Sequence, residues 1–189
     1  MRMKLVMGLA LVALTALGMP GSFAGDGCTV TGTGGDDALQ GTSGPDVICG
    51  LGGDDELRGR GGNDRLRGGT GDDLLVGGPG NDRLLGGRGV DIMSAGRGGD
   101  VAVGGPNSDF SLVSSQGADT WRGGPGADHL TDFDGRDTVY GGRGGDTCLA
   151  TADSVGNDAI RGGPGRDIWD ADPTDDVVGV ESHIICHAG

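Results

Sequence analysis

The sequence predicts an all-β protein of the solenoid type, in which short strands stack along one axis. A nine-residue unit, Gly-Gly-x-Gly-x-Asp-x-apolar-x, runs without a gap over residues 68–94 as GGTGDDLLV, GGPGNDRLL and GGRGVDIMS. Between residues 32 and 179 every proline falls at position three or five of this unit, where it deletes no strand hydrogen bond. A short repeat of fixed period indicates one small structural unit per repeat, buried against its neighbours.

Residues 1–24 predict a secretory signal peptide. Arg2 and Lys4 give a basic start, an apolar run extends from Leu5 to Leu17, and Ser22 and Ala24 place small residues at −3 and −1 of a cleavage site. The apolar run is too short to cross a bilayer, and no second one follows. We therefore expect a secreted, extracellular protein without a membrane span.

The charge of the chain favours cations as partners. The net charge is −14, and loss of the two basic residues of the signal peptide makes it −14 − 2 = −16. Such a chain is expected to repel nucleic acid and anionic lipid. Glycine accounts for 45 of 189 residues and aromatic residues for 3%, a composition that alone would also suit a disordered chain. The regular spacing of the apolar residues favours an ordered repeat instead.

Sixteen units occupy residues 32–179. Nine run over residues 32–112, four over 114–149 and three over 153–179, with breaks at residue 113 and residues 150–152. Residues 25–31 and 180–189 are expected to form an N-terminal and a C-terminal cap. A rod of repeats needs such caps because its end strands are otherwise unpaired.

Each position of the unit has a physical role. Position six is Asp in all sixteen units, position four is Gly in fourteen, and position eight is apolar except at Ser111. Glycine allows positive φ and a close approach to an ion. The apolar residue at position eight predicts a three-residue strand with one inward side chain.

Two units, one reversing the chain and the next returning it, would complete one coil. Sixteen units then give about eight coils with two parallel sheets, and the turns form two columns of carboxylates. One column holds Asp37, Asp55, Asp73, Asp91, Asp109, Asp128, Asp146 and Asp167, and the other holds Asp46, Asp64, Asp82, Asp100, Asp119, Asp137, Asp158 and Asp176.

Columns of carboxylates about one strand apart predict bound cations, because the charges would otherwise repel one another. Carboxylate and carbonyl oxygens suit Ca²⁺, whereas Mg²⁺ wants a smaller octahedron and Zn²⁺ wants nitrogen or sulfur. The expected cofactor is therefore calcium, as multiple ions. The turn glycines expected to offer backbone ligands are Gly53, Gly62, Gly69, Gly71, Gly78, Gly80, Gly87, Gly89, Gly124, Gly126, Gly142, Gly144, Gly163 and Gly165.

The units resemble the hemolysin-type calcium-binding repeats of RTX proteins. Six units, starting at residues 68, 77, 86, 123, 141 and 162, match Gly-Gly-x-Gly-x-Asp in full. The resemblance implies a right-handed parallel β-roll that folds as calcium binds between successive turns. The chain departs from many family members in its cleavable N-terminal signal and in lacking a large catalytic or pore-forming region.

The breaks shift the spacing of the aspartates. Asp109 and Asp119 are ten residues apart and Asp146 and Asp158 are twelve apart, so we expect the columns to be locally out of step there, with extruded loops and fewer ions. Eight turns per column enclose at most seven ions each, or fourteen in all. We expect about eight to twelve, the best between Asp55 and Asp100.

The four cysteines of a secreted chain predict two disulfides. We expect Cys28–Cys49 and Cys148–Cys186, which would staple the two ends of the rod, although four cysteines allow three pairings. The tail HIICH could instead hold a transition metal through its two histidines. A capping strand or turn with an incidental histidine pair is the favoured interpretation, because the glutamate of a zinc-protease helix is missing.

The sequence contains none of the common catalytic motifs, which favours a protein that is not an enzyme. The glycine clusters complete no dinucleotide or phosphate loop, and neither G-x-S-x-G nor H-E-x-x-H occurs. His129 at position seven is expected to be an ordinary surface residue, and the arginines beside the repeats to offset repulsion. The sequence predicts a secreted calcium-binding repeat protein acting as a structural or interaction module. The alternative is an accessory of an extracellular enzyme or RTX-type toxin, with an unknown protein or polysaccharide partner.

Overall fold

A computed structural model of the chain describes residues 27–112, 117–131, 135–150, 158–170, 176–179 and 182–183. The signal peptide predicted at 1–24 lies outside these residues. Within them every regular element is a β-strand, and every strand pair is parallel. No helix in this part of the chain could reach across a membrane.

Counted from residue 32, the even-numbered units contribute their strands to one sheet. A short strand before the first unit forms one edge of this sheet. The nine strands, in their order across the sheet, are β1 (Val30–Thr31), β3 (Val47–Gly52), β5 (Arg65–Thr70), β7 (Arg83–Arg88), β9 (Val101–Val103), β11 (Thr120–Pro125), β12 (Thr138–Arg143), β14 (Ala159–Arg161) and β16 (Asp176–Val178).

The strands of odd-numbered units face this sheet in two shorter sheets. The five-stranded one holds β2 (Ala38–Gln40), β4 (Glu56–Arg58), β6 (Leu74–Pro79), β8 (Ile92–Arg97) and β10 (Phe110–Ser111), and the three-stranded one holds β13 (Thr147–Ala150), β15 (Ile168–Asp170) and β17 (Ser182–His183). An isolated bridge from Phe110 to His129 and a backbone hydrogen bond from the Thr147 amide to the Asp128 carbonyl connect them. The prediction of a parallel β-roll is confirmed.

The core is a single row of side chains between the sheets. Leu66 and Leu84 are in-register partners eighteen residues apart, which is the length of one coil of two units. The residue at position eight of nearly every described unit is buried, as Leu75 and Trp169 illustrate with 0% and 1% exposure. The apolar position eight therefore sets the register, because a slip of one residue would turn the whole row outward.

Ser111, the one polar residue at position eight, is accommodated by hydrogen bonds. It is 4% exposed, and its hydroxyl donates to the Thr131 carbonyl at 3.0 Å and accepts from the Thr131 amide. Its backbone amide donates to the His129 carbonyl at 2.8 Å. The buried hydroxyl thus costs little, because its partners replace water.

The prediction of three-residue strands is wrong for seven of the units. Strands β3, β5, β6, β7, β8, β11 and β12 each have six residues, because the strand continues from position seven through position three of the next unit. Glycine usually disfavours strands. In five of these strands two adjacent glycines leave no side chains between neighbouring backbones, so the backbones stay close enough to pair. β3 has Gly50 and Leu51 at these positions, and β8 has Ala95 and Gly96.

The two breaks do not put the aspartate columns out of step. Across the first break the Asp100 amide donates to Asp119 Oδ1 at 2.7 Å, and across the second the Asp137 amide donates to Asp158 Oδ1 at 2.7 Å. The coil there is 19 and 21 residues long instead of 18. The hydrogen-bond pattern therefore continues through both breaks, whereas the loops expected at residues 113 and 151–152 lie outside the described residues.

The Cys28–Cys49 disulfide is confirmed and joins the first coil, with the two Cα atoms 6.1 Å apart. The second disulfide stays a prediction, because Cys186 lies outside the described residues and only the backbone of Cys148 lies in β13. Of the histidine pair in the tail, residue 183 lies in β17 and residue 187 lies outside the described part.

Candidate metal centre

The aspartates at position six line the two turn edges of the roll, as the repeat predicts. Fourteen of the sixteen are buried, with 0–7% exposure. The first residue of one column, Asp37, is half-buried. The prediction for Asp176 is wrong: Ala159 pairs with Asp176 and Ile160 with Val177, one residue away from the register that the repeat predicts, so Asp176 lies exposed in β16 and outside the column. Carboxylates are seldom this buried unless they are paired or coordinate a metal.

One oxygen of each buried carboxylate holds neighbouring turns together. The Asp55 amide donates to Asp73 Oδ1 at 2.9 Å, and the Asp73 amide donates to Asp91 Oδ1 at 3.0 Å. The same bond links each aspartate to the one in the next coil from Asp37 to Asp167 in one column, and from Asp46 to Asp158 in the other. The carboxylates therefore form two continuous ladders.

The other oxygen of most of these carboxylates is buried without a hydrogen-bond donor. The Oδ2 atoms concerned include those of Asp55, Asp64, Asp73, Asp82, Asp91, Asp109, Asp128, Asp146 and Asp167. A buried anionic oxygen with no donor is costly, and a metal ion is one of the few groups that can offset this cost. The repetition of the same orphaned atom along both edges fits a row of cations.

Burial also changes the acidity of the columns. Desolvation raises the pKa of Asp73, Asp82 and Asp128 to about 6 and that of Asp109 to about 7, from an ordinary value of 3.8. Desolvation also raises the pKa of Asp55, Asp64, Asp91 and Asp146. Without a cation, charge on the columns therefore opposes folding near neutral pH.

The glycine at position one makes room for the donor-free oxygen. A Cβ on Gly68 would lie 2.2 Å from Asp73 Oδ2 and 2.8 Å from the Gly86 carbonyl oxygen. The space beside this glycine is thus bounded by a carboxylate oxygen and a carbonyl oxygen, both hard ligands. The glycines predicted as ligands lie at positions two and four, so the glycine at position one was not among them.

Thirteen of the fourteen predicted turn glycines have positive φ, the exception being Gly126. At position four, Gly71 has a φ of +123°, and a Cβ there would lie 2.2 Å from the Gly53 carbonyl oxygen. Successive turns thus stack backbone on backbone. Among the described residues no three acidic, histidine or cysteine side chains converge on one point. A cation in these turns would take the rest of its ligands from backbone carbonyls, as Ca²⁺ readily does.

In the first turn of each column a threonine donates hydrogen bonds to the aspartate. The amide and the hydroxyl of Thr42 donate to Asp46 Oδ2 at 2.6 and 2.9 Å, and Thr33 does the same for Asp37. The bond from the Thr42 amide, with smaller contributions from the Thr42 and Thr29 hydroxyls, outweighs burial and lowers the pKa of Asp46. These two carboxylates have protein donors at Oδ2, whereas Asp55 and Asp64, the next residue in each column, have none there.

Position five adds a second ladder that sequence reasoning missed. The Asp54 and Asp72 amides donate to the side chains of Asp36 and Asp54 at 2.9 Å, and the Asn81 amide donates to Asn63 Oδ1 at the same distance. These side chains are exposed and cap the turn of the next coil. The recurrence of Asp and Asn at position five of the early units was the signal.

Stacked turns whose buried carboxylate oxygens lack donors define a class of protein, the solenoids with metal-binding turns. The family model of the RTX calcium-binding nonapeptide repeat matches four times, at residues 31–66, 67–102, 113–148 and 153–178, which is more than half of the chain. The chain belongs to this RTX calcium-binding repeat family. No curated protein matches it.

Proposed function

We propose that this chain is a secreted, calcium-binding structural or interaction module that folds as calcium enters the turns. The observation that carries the proposal is the buried Oδ2 without a donor, repeated at successive turns of both columns. Each ion would lie between successive turns, held by these oxygens and by carbonyls of the glycine-rich backbone. The membership in a calcium-binding repeat family supports the choice of metal.

Calcium binding is expected to supply the free energy of folding. Buried carboxylates oppose folding of the metal-free chain, and ions that bind only the folded form stabilise it by mass action. Extracellular calcium sites typically bind at about 0.1 to 1 mM. Sites of that strength would fill outside the cell and stay empty at the low calcium concentration of the cytosol.

The ions are expected to begin after the first turn of each column. Thr33 and Thr42 already donate to Asp37 and Asp46, so these two carboxylates need a cation less than the later ones. We keep the expectation of about eight to twelve ions, concentrated between Asp55 and Asp100. No catalytic role is proposed, since no motif in the sequence supports one.

A calcium titration tests the proposal. The purified mature chain, first treated with EGTA, is titrated with CaCl₂ while far-ultraviolet circular dichroism follows folding, and native mass spectrometry counts the ions. We expect a cooperative gain of β-structure near millimolar calcium, no comparable gain with MgCl₂, and several bound ions. An EGTA-treated chain that is already fully folded at pH 7.5, or a stoichiometry of one or two, would refute it.

Secretion has its own test. The full-length chain is expressed with its first 24 residues intact or deleted, and the culture medium is examined by immunoblotting and mass spectrometry. We expect the intact form in the medium with a new N-terminus at residue 25. Retention of the intact form in the cells with residues 1–24 still attached would contradict the secretion proposal.

A further inference from the structure

The nine-stranded sheet has an unusual outward surface for so acidic a chain. Its strands contain seven arginines and, among the described strands, one acidic residue, Asp176. The opposite five-stranded sheet carries two arginines in its strands and exposes apolar side chains such as Ile92 and Phe110. We call the outward surface of strands β5 to β14 in the nine-stranded sheet the arginine face.

The arginine face places like charges next to each other. Arg65 and Arg83 are direct in-register partners on adjacent strands, which lie about 4.8 Å apart. Like charges in this relation destabilise a sheet. Within the described part of the chain neither arginine makes an ion pair, nor does Arg143, whereas Arg161 pairs with Asp176 at 2.9 Å. Since the carboxylates of the columns point into the turns, these outward arginines do not neutralise them by contact.

A shallow groove of about 420 Å³ crosses the C-terminal half of the arginine face. Its floor is made by Gly124, Gly142 and Gly163, and its sides include Pro125, Pro164, Arg143, Arg161 and the ring of Tyr140. Because the floor has no side chains, a flat ring can lie against the backbone there. The groove is therefore open enough for a segment of a linear polymer.

Tyr140 is held in place beside this groove. The guanidinium carbon of Arg122, on the neighbouring strand, lies 5.1 Å from the centre of the Tyr140 ring. This cation–π contact orients both side chains. Tyr140 is still 38% exposed, so part of the residue remains accessible to a ligand.

We propose that the arginine face binds an acidic polysaccharide, with the groove at Tyr140 as its main subsite. The arginine guanidinium groups would bind carboxylates at intervals along the polymer. One sugar ring would pack against Tyr140 over the glycine floor of the groove. Nucleic acid fits less well, because its dense phosphate charge is repelled by the acidic turn edges and because one aromatic residue cannot stack a series of bases.

The binding test uses the mature chain at saturating calcium and rests on the proposed calcium-dependent folding. Circular dichroism first verifies that each sample is folded, so failure of binding and failure of folding are distinguishable. Hyaluronan oligosaccharides, neutral dextran oligosaccharides and single-stranded DNA are titrated in 50 mM NaCl. We expect binding of hyaluronan alone, weakened by 500 mM NaCl because the contacts are ionic.

Two variants locate the site. The double variant Arg122→Gln/Arg143→Gln is expected to weaken hyaluronan binding at least about tenfold, because two charge-assisted contacts are lost. Arg97→Gln is the matched control, since Arg97 ends β8 on the opposite sheet as Arg143 ends β12. It is expected to leave binding unchanged. No binding by the folded protein, preference for DNA or dextran, or equal loss in both variants would overturn the proposal.

Discussion

Replacing Asp73 by asparagine is expected to stabilise the metal-free roll while weakening its hold on calcium. Asn keeps the Oδ1 that accepts from the Asp55 amide at 2.9 Å, and its NH₂ group replaces the Oδ2 that has no donor. It also removes a buried charge. Burial raises the pKa of Asp73 from 3.8 to about 6, which corresponds to about 3 kcal/mol at one unit per 1.36 kcal/mol. After allowance for solvent screening at the turn, we expect about 1 to 3 kcal/mol.

The assay measures folding without metal and then with it. In EGTA at pH 7.5, trimethylamine N-oxide shifts the chain towards the folded form, and circular dichroism gives the midpoint. Asp73→Asn should fold at lower osmolyte concentration than the wild type, yet need more calcium when calcium drives folding. Asp72→Asn is the matched control, because it removes the same charge from an exposed neighbour whose Oδ1 caps the Val90 amide at 2.7 Å. A higher osmolyte midpoint for Asp73→Asn, or an equal shift in both variants, would refute the reasoning.

Three further predictions follow from the same geometry. The raised pKa values of about 6 to about 7 mean that charged columns oppose folding above that range, and that this penalty disappears as the pH falls towards 3.8. Circular dichroism in EGTA should therefore show β-structure forming between about pH 7 and pH 4, and its absence there would contradict the assignment. Gly71→Ala should cost more than about 2 kcal/mol of calcium-bound stability, because its Cβ would meet the Gly53 carbonyl at 2.2 Å at a positive φ. Gly61→Ala should be neutral when both variants are unfolded with urea in calcium, because the nearest atom to its Cβ would be the Pro79 carbonyl oxygen at 3.8 Å. Leu75→Ala should cost about 2 to 5 kcal/mol by urea unfolding in calcium, since Leu75 is fully buried, and a cost under 1 kcal/mol would contradict the single-row core.

The repeat period alone predicted the register, the core row and the aspartate columns, except in the last unit, where Val177 and not Val178 pairs with Ile160. Two nonapeptides make one coil, so the partners of Leu66 and of Asp73 are found eighteen residues along the chain, as in the structure. The Cys28–Cys49 pairing was also predictable, because the two residues are separated by about one coil. A strict period places equivalent residues above one another on successive coils, so these features can be predicted from the sequence.

The remaining features depend on contacts that the period does not encode. The strands extend through Gly68 and Gly69 because the stacked backbones approach closely, against the usual propensity of glycine. The bonds across the breaks join aspartates 19 and 21 residues apart, a separation that departs from the period of eighteen. The two roles of the Asp73 oxygens, one bonded and one without a donor, become visible only in three dimensions. The arginine face could have been found earlier by separating odd from even units.

The aspartate ladders have a direction, and this gives the roll a starting end and a growing end. In each bond the amide of the earlier aspartate donates to the carboxylate of the later one. A folded N-terminal part therefore offers unpaired backbone amides to the carboxylate of the next turn. Growth from the C-terminal end would instead leave buried carboxylates without donors until the preceding turn had formed. The first coil is already closed by a disulfide and by Thr33 and Thr42. It can therefore act as a nucleus, from which each coil templates the next in the order in which the chain is synthesised.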